Sequence, residues 1–412
     1  MYAIKVELKL NNKERTLMRR HSGYARFVYN YGLALTQGLR SAGVKASVAK
    51  QINEIKKVFT NYTKKQPENQ WMNELSSKVY QRAFIDLAQA YQRWAKGLSS
   101  KPVFKSKKDG DSFTVYDGNG KVLALSGKKI KIPTLGTFRL KEAFPCCYVT
   151  QTFTMSRQAN KWYVSFAVDA DRIPNGRASF DSTETARTRT CSPPTYHPEE
   201  AVGIDLGVKC FCTLSDGSQI KAPKPYKKAK TKLALAQWRN RNKQSGNRRQ
   251  GVKQSNRAKK FYDSLAKKHA RISYQRQDFL HKTTTDISRK FYRIRIEDLN
   301  VSGMLANSKL SSAISDLGFY EFRRQLIYKS EFFGTKVEVV DRWYPSSKMC
   351  SLCGNKHDNV KLSDRVYQCQ NKSCLAHTIT MDRDLNAAYN LLNAPLDYVR
   401  LAQPEVTLVD KK

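Results

Sequence analysis

Nowhere in these 412 residues does an apolar run reach the length that a bilayer-spanning helix requires. That argues against a helical membrane protein. The opening segment MYAIKVELKL alternates apolar and polar residues as a strand does. It has neither the apolar stretch nor the cleavage site of a secretory signal, so the expected location is the cytoplasm. Cysteine is sparse: nine residues, too scattered for a disulfide scaffold. No internal repeat is present. Acidic residues are few, 35 against 74 Lys and Arg, for a net charge of +39. An imbalance of that size points to a polyphosphate partner such as nucleic acid.

What is present can fold. At 40% hydrophobic and 11% aromatic residues, the chain can fill real cores. Its length suggests about two to four domains. Residues 12–98 carry apolar positions at helical spacing, with Leu75, Val79, Phe84, Leu87 and Tyr91 on one face. Residues 102–169 alternate short β-rich runs with turns, as in a small antiparallel barrel or sandwich, and the opening strand could join it. Residues 172–200, rich in Ser, Thr, Arg and Pro, look like a linker. Three short strands are expected over 201–221. A basic helical pair follows over 227–291, where a long series of Lys and Arg faces only Asp263, Asp278 and Asp286. Leu233, Leu235, Trp238, Phe261, Leu265, Ile272 and Phe279 supply its thin apolar stripe. A strand ending at Glu297, one helix over 312–333, another strand and a final helix at DRDLNAAYN complete the pattern. The tail after Leu396 carries no signal.

Three acidic positions stand out. Asp205 lies in an apolar strand within GIDLG, where burial is costly unless it is hydrogen-bonded or binds a metal. Gly203 and Gly207 leave room beside it for backbone or ligand. Glu297 ends the run IRIE. In DRDLNAAYN, Asp382 or Asp384 is the third acid, with Asp382 suited to cap the helix. Taken singly, each also reads as a turn, edge or cap residue. Together, in one αβ segment of a basic chain, they suit two Mg²⁺ ions held by hard oxygen ligands for phosphodiester hydrolysis. A mixed sheet with acids at its strand edges resembles an RNase H-like core. Cys350, Cys353, Cys369 and Cys374 read as a closed, structural Cys₄ zinc site, with His357 and His377 as possible substitutes. Cys210 and Cys212 read as small core residues; Cys146, Cys147 and Cys191 show no interpretable spacing.

These motifs in this order resemble the TnpB family of transposon-encoded RNA-guided DNA nucleases, relatives of the compact type V CRISPR effectors. The resemblance rests on ARFVYN, KPVFKSKK, GIDLG, QRQDFLHK, IEDLN, RWYPSSKMCSLCG and DRDLNAAYN, and is dense from Ala201 to Asn393. It implies a multidomain α/β protein: a wedge β-barrel (1–10 and 101–170) interrupted by a helical recognition domain (11–100), then a linker (171–200). A RuvC-like nuclease (201–345 and 381–395) with a zinc-bearing target-loading insert (346–380) and a tail (396–412) would follow. It implies catalysis by Asp205, Glu297 and Asp384 with Mg²⁺, and structural Zn²⁺. It also implies a guide RNA from the transposon end, double-stranded target DNA read beside a short adjacent motif, and a monomer with one RNA. By position in the recognition helix, Ser77 and Gln81 are candidates to touch that motif. Lys105, Lys107, Arg248, Arg249, Lys259, Lys260 and Arg276 are candidates for nucleic-acid contact. A catalytically idle guided repressor, a CRISPR effector using crRNA and a strand-joining transposase are the alternatives.

Overall fold

A computed structural model describes residues 2–107, 110–116, 122–123, 128–132, 134–142, 148–149, 152–168, 201–244, 246, 251–360 and 364–402. The expected linker, Arg248, Arg249, Cys146, Cys147, Cys191 and the end of the tail lie outside the described residues. The chain divides into two units, one of residues 1–189 with 406–412 and one of residues 190–405.

In the first unit, strand β1 (Tyr2–Lys9) leads into helix α1 (Asn12–Ser41). Asn11 starts that helix through a reciprocal cap: its side chain accepts from Glu14 N–H, and its own N–H donates to the Glu14 carboxylate. Helices α2 (Val48–Asn61) and α3 (Ser77–Ala95) pack on α1 through Tyr24, Leu33, Phe59, Phe84 and Leu87, all buried. Strands β2 (Ser112–Tyr116), β3 (Val122–Leu123), β4 (Lys129–Ile132), β5 (Gly136–Leu140), β6 (Tyr148–Val149), β7 (Thr152–Gln158) and β8 (Lys161–Val168) follow. Five of them join β1 in a six-stranded antiparallel sheet in the order β2-β7-β8-β1-β5-β4, and β3 pairs with β6 separately. The opening strand thus lies between β8 and β5, joined to them across the inserted helices, as its alternation suggests.

The second unit is built on a mixed sheet. Its elements are β9 (Ala201–Leu206), β10 (Cys212–Leu214), β11 (Gln219–Ile220), α4 (Pro225–Arg239), α5 (Asn256–Lys290), β12 (Arg293–Glu297), α6 (Val301–Ala306), α7 (Ser311–Leu317), α8 (Phe319–Phe333) and β13 (Lys336–Val340). Next come β14 (Val366–Tyr367), α9 (Leu375–Thr378), β15 (Met381–Asp382), α10 (Arg383–Leu392) and β16 (Val399–Leu401). The sheet order is β11-β10-β9-β12-β13-β16. β9, β12 and β13 pair in parallel, while β10 pairs antiparallel with both β9 and β11, and β16 pairs antiparallel with β13. One core packs Phe211, Phe319, Phe322, Leu280 and Ile287 against the sheet residues Ile204, Ile294 and Ile296. Cys212 is fully buried there, as a small core residue would be.

One expectation is corrected and two readings are filled in. The helix over 312–333 is two helices, because Gly318 adopts a left-handed φ of 76° and turns the chain between α7 and α8. The basic pair does not bury its whole apolar stripe. Leu233 and Ile272 are buried, while Leu235 and Trp238 are exposed, because α4 buries only Pro225 and Leu233. The tail carries structure: β16 pairs with β13 and forms an edge of the mixed sheet. No helix among the described residues is long and apolar enough to cross a membrane.

Candidate functional site

Asp205 and Glu297 occupy matching places at the carboxyl ends of two adjacent parallel strands. Ile204 of β9 is in register with Ile296 of β12, and the two acids are the next residues along. This is the end of a parallel sheet where ligands characteristically bind. Asp384 approaches from α10. Asp382 is the N-cap of that helix, accepting from the N–H groups of Asp384 and Leu385 at 2.8 and 3.1 Å, which leaves Asp384 in the first turn. The choice between Asp382 and Asp384 left open by spacing is thereby given a geometric basis.

Helix α10 lies directly on β9, and Gly203 is the reason it can. A Cβ there would fall 2.0 Å from Ala388 O and 2.6 Å from Leu392 N. The opposite end of α10 is tied down by Arg295, a buried residue of β12. Its guanidinium pairs with Glu338 at 2.7 Å and donates to Leu392 O and Ala394 O at 2.7 and 2.9 Å.

The acids act on one another. Burial pushes the Asp205 carboxyl up to about 7, the charges of Asp384 and Glu297 push the same way, and Arg383 opposes them. Burial also raises Glu297, with Asp298 adding to it. Asp384 is held by Arg383 at 3.3 Å and Arg365 at 3.9 Å. Carboxylates forced together at this cost, with hard oxygen donors, suit divalent cations such as Mg²⁺. The group is looser than the sulfur cluster below: among the described residues, no three carboxylate ligand atoms lie within the 4.8 Å that encloses the four sulfurs.

A feature that the motifs did not disclose adjoins Glu297. Asp298 is buried and accepts from Arg323 at 2.6 Å and from Arg342 and Arg400 at 2.8 Å each. Its carboxyl is held below the usual range by Arg342 and Arg323, against the opposing effect of burial. A cavity of 310 Å³ is lined here by Glu297, Asp298, Tyr320, Arg323, Arg342 and Arg400. The three arginines come from α8, the turn after β13 and β16, so no local spacing reveals them. The IEDLN acid pair was the one available signal.

The four cysteines are gathered as expected. Four sulfurs about 2.3 Å from a common centre in a tetrahedron lie about 3.8 Å apart. Cys350 Sγ is 3.7 Å from Cys374 Sγ, and Cys353 Sγ is 3.6 Å from Cys369 Sγ. The arrangement fits a zinc-binding site with all positions taken by protein. His377 is not needed as a ligand, since its Nδ1 lies 2.7 Å from Cys369 O. His357 Nε2 lies 3.4 Å from Cys369 Sγ and receives the Gln370 N–H at 3.3 Å. Gly354, with φ 71°, turns the first knuckle and donates to Cys350 O. This knuckle is fastened to α10 by two buried asparagines that sequence reasoning passed over. Asn386 donates to Met349 O and accepts from Ser351 N–H, and Asn390 donates to Ser346 O and Met349 O.

The basic candidates are placed unequally. Lys259 and Lys260 are exposed on α5, as is Lys107 ahead of β2. Lys105 is pinned by its backbone to the Asn30 side chain and sets its ammonium 4.0 Å over the Tyr29 ring. Arg276 is turned inward, its guanidinium 3.9 Å from Asp316, which itself caps α4 through Tyr226 and Lys227 N–H. It presents less free charge than its neighbours on α5. Ser77 is exposed and Gln81 half-buried, one turn apart on α3, and neither belongs to the core.

Comparison with known proteins supplies the lineage. Residues 180–308 match a family described as "Probable transposase". A protein of Streptomyces pristinaespiralis named "Putative RNA-guided DNA endonuclease" is 34% identical over 341 residues, which span 81% of this chain and 75% of that one. The chain belongs to the TnpB family. A further relative in Escherichia coli (strain K12), "Putative RNA-guided DNA endonuclease InsQ", is 29% identical over 96% of this chain and 92% of its own length. Residues 319–391 match a family described as "Cas12f1-like, TNB domain", which includes the four cysteines, and residues 1–45 match a "Helix-turn-helix domain". A solved structure titled "Cryo-EM structure of the Cas12f1-sgRNA-target DNA complex" has a chain that superposes with a TM-score of 0.51 at 14% identity. The match covers 93% of this TnpB-family chain and 83% of the other, a likeness of fold.

Proposed function

We propose that this protein is an RNA-guided DNA endonuclease of a transposon, hydrolysing target DNA at Asp205, Glu297 and Asp384 by two-metal-ion chemistry. The observation that carries this reading is the placement of Asp205 and Glu297 at the carboxyl ends of adjacent parallel strands, with Asp384 close enough on α10 that its charge adds to burial in raising the Asp205 carboxyl. Three full negative charges at one sheet end are unfavourable without a cation, and a phosphodiesterase site needs such a set. Bound there, Mg²⁺ would supply an activated water and stabilise the departing oxygen.

The protein's own groups have separable tasks. Asp205 and Glu297, fixed by adjacent strands, hold one side of the metal site. Asp384, carried on α10, closes the other. Arg383 and Arg365 balance Asp384 before the cations arrive. Asp298 takes no part as a ligand; three arginines already occupy its carboxylate.

The domain assignment supports guided recognition. The mixed sheet, with α10 across it, is read as a RuvC-like core over 201–345 and 381–395. The sheet of the first unit is read as the wedge barrel over 1–10 and 101–170, with 11–100 as the recognition helices. The zinc-bearing segment 346–380 would load the target strand. Ser77 and Gln81 on α3 are proposed to read the adjacent motif, Gln81 through base edges. The net charge of +39 provides for a guide RNA and a DNA duplex, and the assembly is proposed as one chain with one RNA.

The test begins with the RNA that co-purifies when the chain is expressed with its flanking DNA. A single structured RNA with a variable end supplies the target for a cleavage assay. Asp205→Ala, Glu297→Gln and Asp384→Ala should each abolish Mg²⁺-dependent cleavage while RNA binding persists. Full-rate cleavage by any of them sinks the assignment. Random host RNA alone sinks the guided reading.

A further inference from the structure

Trp343 is 83% exposed, more than any other large hydrophobic among the described residues. A lone exposed apolar residue carries no meaning by itself. Its mounting gives this one significance. Asp341 N–H donates to Tyr398 O at 2.8 Å, and Tyr344 N–H closes a turn onto Asp341 O at 3.0 Å. Trp343 N–H donates to the Asp341 side chain at 2.8 Å. On one side Arg342 reaches back to Asp298, and on the other Tyr344 is buried in a small core with Val340, Leu391 and Ala394. Both neighbours are anchored, so the indole is held outward on a short, braced turn that follows β13.

The surroundings indicate an occupant. The turn adjoins the cavity lined by Glu297 and Asp298, where Asp298 accepts from three guanidiniums. Arg342 and Arg400 remain partly exposed, at 43% and 65%. An aromatic face beside part-exposed guanidiniums is a pairing that holds unpaired nucleic acid: arginines meet phosphates, and bases stack on the ring. A duplex offers no free base face, so the fit is to a single strand.

Resting on the nuclease reading above, we propose that Trp343 is a stacking platform for an unpaired base of the DNA strand entering the Asp205–Glu297–Asp384 site. It is a positioning residue: it fixes the strand so that the scissile phosphate sits at the acids. It does not take part in target recognition by the guide.

The experiment uses the full chain loaded with its co-purifying RNA and a matched DNA target. Single-turnover cleavage by Trp343→Ala should fall roughly 5- to 100-fold, the range for one lost base–aromatic stack. Trp343→Phe keeps an aromatic face and should recover most of the rate. In an Asp205→Ala background, Trp343→Ala should leave target binding unchanged. Wild-type rate in Trp343→Ala, or equal losses in the Ala and Phe variants, overturns the platform. If wild-type protein cuts and Asp205→Ala does not, that failure belongs to the platform alone. If wild-type protein fails to cut, the nuclease reading falls and takes the platform with it.

Discussion

Gly203 and Ala388 are so close that a single methyl group between them would sit 2.0 Å from the Ala388 carbonyl oxygen. The contact joins the strand bearing Asp205 to the helix bearing Asp384. The obstructing atoms are backbone, so no side chain can swing away. Gly203→Ala should therefore displace α10, lower the melting temperature and abolish cleavage. Gly38→Ala, in a helix with nothing within 4 Å of its Cβ position, should be neutral or stabilise by about 0.5–1 kcal/mol. Thermal melts of the two variants make the comparison.

Asp205 gives a pH signature. Its folded carboxyl stands at about 7, above the ordinary 3.8. Between these values the folded protein holds a proton that the unfolded chain has released. Metal-free stability should thus fall as pH rises from about 4 to about 7, then level off. Asp205→Asn should remove that slope and stabilise the metal-free protein near pH 7, on the order of a few kcal/mol at most. Melting curves across pH would check it, and an unchanged slope in Asp205→Asn would assign the effect elsewhere.

Arg295 is a buried charge whose described partners are one carboxylate and two carbonyls at the end of α10. Removing it strands Glu338 and leaves those helix-end carbonyls without a donor. Arg295→Ala should cost about 3–5 kcal/mol. Denaturant titration measures this directly.

The zinc knuckle and Asp384 share a helix, through Asn386 and Asn390. Cys350→Ser should reduce zinc content, measured by mass spectrometry. Asn386→Ala should keep the zinc yet slow cleavage, because the knuckle stays folded while its seat on α10 loosens. Equal zinc loss in both variants would show that the asparagine serves only folding.

Lys259 and Lys260 are exposed on a helix of one dominant charge sign. If they meet phosphates, each Lys→Ala change should reduce the salt dependence of RNA binding by about one unit of slope. Filter binding across a salt series would decide it.

What could be read from sequence was whatever local chemistry marks. GIDLG, IEDLN and DRDLN placed the acids because an acid at the end of an apolar run is conspicuous, and cysteine spacing placed the knuckle. β1 was recognised by its alternation. Distance along the chain hid the remainder. Arg323, Arg342 and Arg400 meet at Asp298 from three separate elements, and nothing near any of them announces the meeting. β16 is three residues long, too short for a period to show. Asn386 and Asn390 resemble ordinary helix residues until the knuckle is set against them. Leu235 and Trp238 misled because apolar spacing signals a face, and says nothing of whether a neighbour covers it.

The order in which the mixed sheet is assembled has a consequence in time. Asp205 and Glu297 leave the ribosome long before Asp384, and β16, which brings Arg400 to Asp298, comes later still. A nascent chain therefore completes the first unit's elements while Asp205 and Glu297 still lack Asp384. On the proposed reading, a chain halted before α10 would carry two of the three acids and could not cut, because the third arrives only with the end of the sheet.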